Sequence, residues 1–122
     1  MKKMFLVGLL VSVFLLAACQ VDETIEEEPG EEIRTIEVEG YGRTFEPDVI
    51  DVEVGEEVEF VFKNTGGTHD LVIPELDIGT DVINEGETDS FTYTFDETGT
   101  ILFECSVGSH AEEGMVGEII VS

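Results

Sequence analysis

Three side chains near the C-terminus carry donor atoms of the kind that hold a transition metal. Cys105, His110 and Met115 offer a thiolate, an imidazole and a thioether, with four residues in each gap between them. The chain has one other histidine, His69, which opens the apolar run His-Asp-Leu-Val-Ile. Two imidazoles, one thiolate and one thioether form the donor set of a mononuclear electron-transfer copper site, with the thioether as a weak axial ligand. Zinc would accept the cysteine and the histidines but gains little from the thioether, so Met115 favours copper.

Elements of a particular kind must position these donors. Ile50, Val52 and Val54 alternate with acids; Val58, Phe60 and Phe62 alternate with Glu57, Glu59 and Lys63; Phe91, Tyr93 and Phe95 alternate with threonines. A period of two marks strands with one buried face. Further strands are expected at Arg34 to Glu39, His69 to Ile73, Thr100 to Cys105 and Gly117 to Val121. Turns are expected at Gly55-Glu56, Asn64 to Gly67, Asn84 to Gly86 and Glu97 to Gly99. No segment has a helical period. The fold class is therefore all-β, an antiparallel sandwich or small barrel of about seven strands. Alternation also places Cys105 on the face of Ile101 and Phe103, turned inward, while His110 and Met115 fall in the loop before the last strand.

The N-terminus reads differently. Met1-Lys2-Lys3, the apolar run Phe5 to Leu16 and the small residues before Cys19 are the three regions of a secretory signal. Leu16-Ala17-Ala18-Cys19 also resembles the bacterial lipobox, so residues 1–18 are read as a lipoprotein signal peptide and Cys19 as the lipidated first residue. Residues 19–32 then form an acidic flexible linker, because seven acids with Pro29 and Gly30 cannot bury enough apolar surface to fold. Residues 33–122 are left as one domain with Cys105 as its single thiol. Metal ligation would protect such a thiol from oxidation and exchange in an exported protein.

Net charge is −24 for the whole chain, and removal of Lys2 and Lys3 with the signal leaves Arg34, Arg43 and Lys63 against 29 acids. That balance excludes nucleic acid as a partner and repels anionic lipid, so membrane association is assigned to the lipid on Cys19 alone. The acids are spread along the chain and do not cluster, which favours a solvated surface suited to high salt over the alternative, a docking surface for a basic partner.

His69-Asp70, the Cys105, His110 and Met115 loop, and Gly114 to Val121 after it resemble the cupredoxins, the small blue copper proteins. Phe45-Glu46-Pro47-Asp48-Val49-Ile50-Asp51-Val52, followed by Gly55, Val58, Phe60 and Asn64, is similar to the opening strands of that family. The resemblance spans nearly all of Arg34 to Ser122 and implies a cupredoxin-like antiparallel Greek-key β-sandwich of about seven to eight strands. It implies one mononuclear type 1 copper held by His69, Cys105, His110 and Met115, with Asp70 and Ser106 around the ligands. Several members have Asn where this chain has Asp70.

The same resemblance implies a one-electron carrier rather than an enzyme, working as a monomer between a redox donor and a redox acceptor outside the cytoplasm. His110 is expected to face solvent as the electron port, with His69 deeper. Glu112 and Glu113, beside that port, are expected to favour Cu(II) and a basic partner. A copper-delivery lipoprotein without electron transfer is the alternative.

Overall fold

The computed structural model describes residues 32–122, and the expected signal segment, Cys19 and all but the last linker residue lie outside them. Two sheets face each other. The first is built from β1 (Arg34–Tyr41), β2 (Thr44–Glu46), β4 (Glu57–Gly66) and β9 (Thr88–Thr94), in the order β2-β1-β4-β9. The second is built from β3 (Val49–Val52), β6 (Val72–Ile73), β7 (Ile78–Gly79), β10 (Gly99–Glu104) and β11 (Val116–Val121), in the order β3-β11-β10-β6-β7. A small ladder of β5 (Thr68–His69) and β8 (Ile83–Asn84) sits beside them, and one 3₁₀ turn spans Pro74–Leu76. Among the described residues no helix is long and apolar enough to cross a membrane.

The inward faces follow the period-two reading. Val58, Phe60, Phe62 and Asn64 of β4 all point into the core, each at 1% exposure or less. Phe45 joins the two sheets, its ring 5.9 Å from Phe62 on one side and 5.1 Å from Phe103 on the other. Burial of such rings, with the edge-to-face contact that aromatics prefer, supplies most of the cohesion between the layers.

Pairing within the sandwich is mixed. Most neighbours are antiparallel as expected, including the hairpin of β10 with β11 and the long-range pair β4 with β9. Two pairs are parallel, β1 with β4 and β3 with β11. The chain leaves the first sheet after β2, enters the second as β3 and then returns, so β4 runs alongside β1 in the same direction. Connections that change sheets produce this arrangement and hairpins alone do not.

Three local expectations change. Val54 lies beyond β3 and is exposed. The turn expected at Asn64 to Gly67 is largely strand, since β4 runs to Gly66. The single strand expected from His69 to Ile73 is two short ones, β5 paired with β8 and β6 paired with β10. The chain changes partner at Asp70 and Leu71, where both residues are buried and Asp70 reaches a neighbouring loop.

Candidate metal centre

Cys105 lies one residue beyond β10 and is 1% exposed. Its N–H donates to the Met115 carbonyl at 3.1 Å, and the Met115 N–H donates to the His110 carbonyl at 3.0 Å. These bonds fold residues 105–115 back on themselves, so that the loop joins the end of β10 to the start of its neighbour β11. Gly114 has φ +103, a region that residues with a Cβ rarely enter, and it makes the turn into β11. Met115 is fully buried, and a side chain at Gly40 of β1 would come within 3.3 Å of its Cε.

His69 arrives from mid-chain. Its strand β5 pairs with β8 through His69 and Ile83. Asn64 secures this arrangement from the end of β4. Its Nδ2 donates to the Gly67 and Ile83 carbonyls, both at 2.8 Å, and its Oδ1 accepts from the Gly66 N–H at 3.2 Å. The backbone at Gly67 (φ +88) then passes against the His69 ring, where an added Cβ would lie 2.8 Å from Nε2.

Three donor atoms meet. His69 Nδ1 and His110 Nδ1 are 3.2 Å apart, Cys105 Sγ is 3.5 Å from His110 Nδ1, and Cys105 Sγ is 3.8 Å from His69 Nδ1. At about 2.3 Å for a metal–sulfur bond and about 2.0 Å for a metal–nitrogen bond, trigonal ligation separates sulfur from nitrogen by about 3.7 Å and the nitrogens by about 3.5 Å. The observed triangle matches that spacing. With Met115 buried in the same loop, the residues fit a single type 1 copper ion.

The surroundings hold the donors in different states. Burial pushes His69 down from its ordinary value, which keeps the ring neutral and able to coordinate at pH 7. Burial also pushes the Cys105 thiol up, and the backbone N–H groups of Asp70 and Val107 partly oppose this by favouring the thiolate. A bound cation would remove the proton outright. His69 is 1% exposed, whereas His110 is only partly buried and lies at the surface of the loop.

Asp70 and Ser106 link the two ligand segments. The Ser106 N–H donates to Asp70 Oδ1 at 2.6 Å, and the Ser106 hydroxyl donates to Asp70 Oδ2. Serine thus contacts the carboxylate, while the backbone groups beside the sulfur come from Asp70 and Val107. Sequence reasoning missed two other supports. One is the role of Asn64, which reads as a turn residue until its carbonyl partners are seen. The other is Arg43, in the turn between β1 and β2, whose Nε lies 2.6 Å from Glu113 Oε2 in the ligand loop. Glu113 is therefore paired, and Arg43 holds its carboxyl below the usual range. Glu112 is the acid beside His110 with no such partner among the described residues.

Two facing sheets with a Cys-His-His cluster and a buried Met at one pole define the cupredoxin class. The sequence matches the model of the cupredoxin-like domain over residues 6–121, and the chain belongs to that family. It is 34% identical over 110 residues to a halocyanin of Natronomonas pharaonis, a match covering 85% of this chain and 65% of the halocyanin's length. It is 36% identical over 87 residues to a plastocyanin of Daucus carota, covering 64% of this chain and 87% of the plastocyanin. Reduced auracyanin from Roseiflexus castenholzii shares the fold with a TM-score of 0.67 at 22% identity, covering 72% of this chain and 96% of auracyanin.

Proposed function

We propose that this chain is a blue copper protein that carries single electrons between redox partners outside the cytoplasm, with His69, Cys105, His110 and Met115 as its copper ligands. The observation that carries the reading is the convergence of His69 Nδ1, His110 Nδ1 and Cys105 Sγ within 4.8 Å of one another. Copper bound there supplies one-electron Cu(II)/Cu(I) chemistry. The protein's part is to keep the donors still. All of them lie at strand ends or in a loop closed by its own hydrogen bonds, so little has to move when the charge changes. His110 is the ligand through which electrons pass to a docked partner, because it alone of the three clustered donors is not fully buried. The kinship with halocyanin and plastocyanin supports the same reading.

The N-terminal sequence supports lipidation of Cys19 after removal of residues 1–18, which would keep the carrier at a membrane. Replacing Cys19 by Ala should move the protein from the membrane fraction to the soluble one; retention of that variant on the membrane rules out a lipid anchor at this residue.

Adding Cu(II) to the purified protein tests the main reading. An intense blue colour that bleaches with a mild reductant and returns with an oxidant supports the carrier. Pale, easily lost copper supports the delivery alternative, and absence of copper uptake removes both. Cys105→Ser should abolish the colour and leave the sandwich folded.

A further inference from the structure

Only four polar residues are buried among those described: Asn64, His69, Asp70 and Thr80. Asp70 is the one carboxylate, at 3% exposure. Its oxygens accept both hydrogen bonds that Ser106 offers. A cation would be the usual companion of such a group, because an isolated charge away from water is costly. The three cations of the described residues are all engaged elsewhere, Arg34 with Glu56 at 3.4 Å, Arg43 with Glu113 at 2.6 Å and Lys63 with Glu37 at 2.7 Å. A buried carboxylate is thus left with two neutral donors and no counter-charge from a side chain.

Its neighbours suggest where the counter-charge lies. Asp70 follows His69 directly, and Ser106, which it grips, follows Cys105. Its carboxylate is thus tied to the chain beside both donors, next to His69 in sequence and bonded to the residue after Cys105. Positive charge placed among these donors is therefore favoured. One thiolate and two neutral imidazoles around Cu(II) carry a net charge of about +1, and around Cu(I) a net charge of about zero.

We propose that Asp70 sets the reduction potential: its carboxylate, held by Ser106, is the buried counter-charge of the copper centre and biases it toward Cu(II). The proposal rests on the copper reading of the site and adds a sign to it. Asn at this position would keep an acceptor for the Ser106 N–H and an amide for the hydroxyl, so the link between ligand segments would survive without the charge. Asp70 is a positioning residue whose charge also acts on the metal, and the two contributions are separable.

The test uses the copper-loaded full chain and its Asp70→Asn variant, with potentials read from the blue absorption during redox titration. The variant is expected to stay blue while its preference for Cu(II) over Cu(I) falls at least tenfold, a positive shift of about 59 mV or more for a one-electron couple. The rise in melting temperature caused by Cu(II) should also be smaller in the variant, with the rise caused by Cu(I) nearly unchanged. A blue variant with an unchanged or more negative potential overturns the proposal and leaves the copper reading intact. A wild-type protein that takes up no copper overturns both. Should Asp70→Asn fail to fold, Ser106→Ala keeps the carboxylate and removes the hydroxyl that spreads its charge. That variant is expected to shift to more negative potential, and a positive shift overturns the proposal.

Discussion

Replacing Asn64 by Ala should loosen the copper pole more than its distance from the donors suggests. Asn64 is 1% exposed and makes three side-chain hydrogen bonds, two donated at 2.8 Å and one accepted at 3.2 Å. At about 1 kcal/mol net for each bond the loss is about 3 kcal/mol, and the Gly67 and Ile83 carbonyls left without their donor push it upward. For a domain of this size about 4–8 °C of melting temperature is lost per kcal/mol, so the metal-free variant should melt roughly 12–24 °C below the parent. The damage should be concentrated where β4, β5 and β8 meet, because that is where the three bonds end. His69 would lose the backbone cradle behind its ring, and copper should leave the variant faster under a chelator than it leaves the parent. Thermal unfolding followed by circular dichroism, with chelator-driven loss of the blue absorption, measures both effects. A drop of less than about 4 °C, or an unchanged rate of copper loss, would refute the reasoning that Asn64 holds the His69 segment.

Gly67→Ala adds a Cβ 2.8 Å from His69 Nε2 at a φ of +88, where an L-residue costs about 1–2 kcal/mol. The ring must give way, so the position and intensity of the blue band should change, and an unaltered spectrum would show that the cradle is slack. Arg43→Gln breaks an exposed pair and should leave the melting temperature nearly unchanged. It should nevertheless make the reduction potential more negative by freeing the Glu113 charge, which a redox titration would detect. Met115→Leu conserves volume at a fully buried site and should cost less than about 1.5 kcal/mol in unfolding experiments. Its potential should rise, since loss of a donor costs the more highly charged Cu(II) more.

The donor residues and the strands that end beside them could be read from the sequence because both rest on local patterns. The alternation Ile101, Phe103, Cys105 gave the thiol's direction, and the same period gave the inward face of β4. What escaped rests on long-range partners. Asn64 looked like a turn residue because Asn usually satisfies itself locally or in water, yet here it is buried by capturing carbonyls three and nineteen residues away. The run from His69 to Ile73 looked like one strand because hydropathy does not record which sheet a strand joins. Asp70 breaks it by reaching Ser106, 36 residues on. The pairing of Arg43 with Glu113 spans 70 residues and leaves no trace in either local sequence. Phe91 and Tyr93 share the expected face of β9 but are only half-buried, since β9 is an edge strand.

The fold also separates the metal centre from the point where the chain enters the domain. β1 begins at Arg34, whose guanidinium donates to the Asp51 carbonyl and pairs with Glu56, and Val54 bonds to Ser122 at the same end. β1 finishes at the other end, where Gly40 meets Met115 and Arg43 meets Glu113. One strand thus runs the length of the sandwich, with the start of the described chain at one end and the donors at the other. If Cys19 is lipidated, residues 20–32 can reach at most about 45 Å from the membrane, and the domain hangs from the pole opposite its copper. His110 then faces away from the bilayer, toward partners that approach from the aqueous side or from a facing surface. The acidic linker and the acidic domain repel anionic lipid as well, which works against the domain lying down on its own membrane. Shortening the linker by eight residues should therefore slow electron exchange with a membrane-bound partner more than with a soluble one, and equal slowing would count against this orientation.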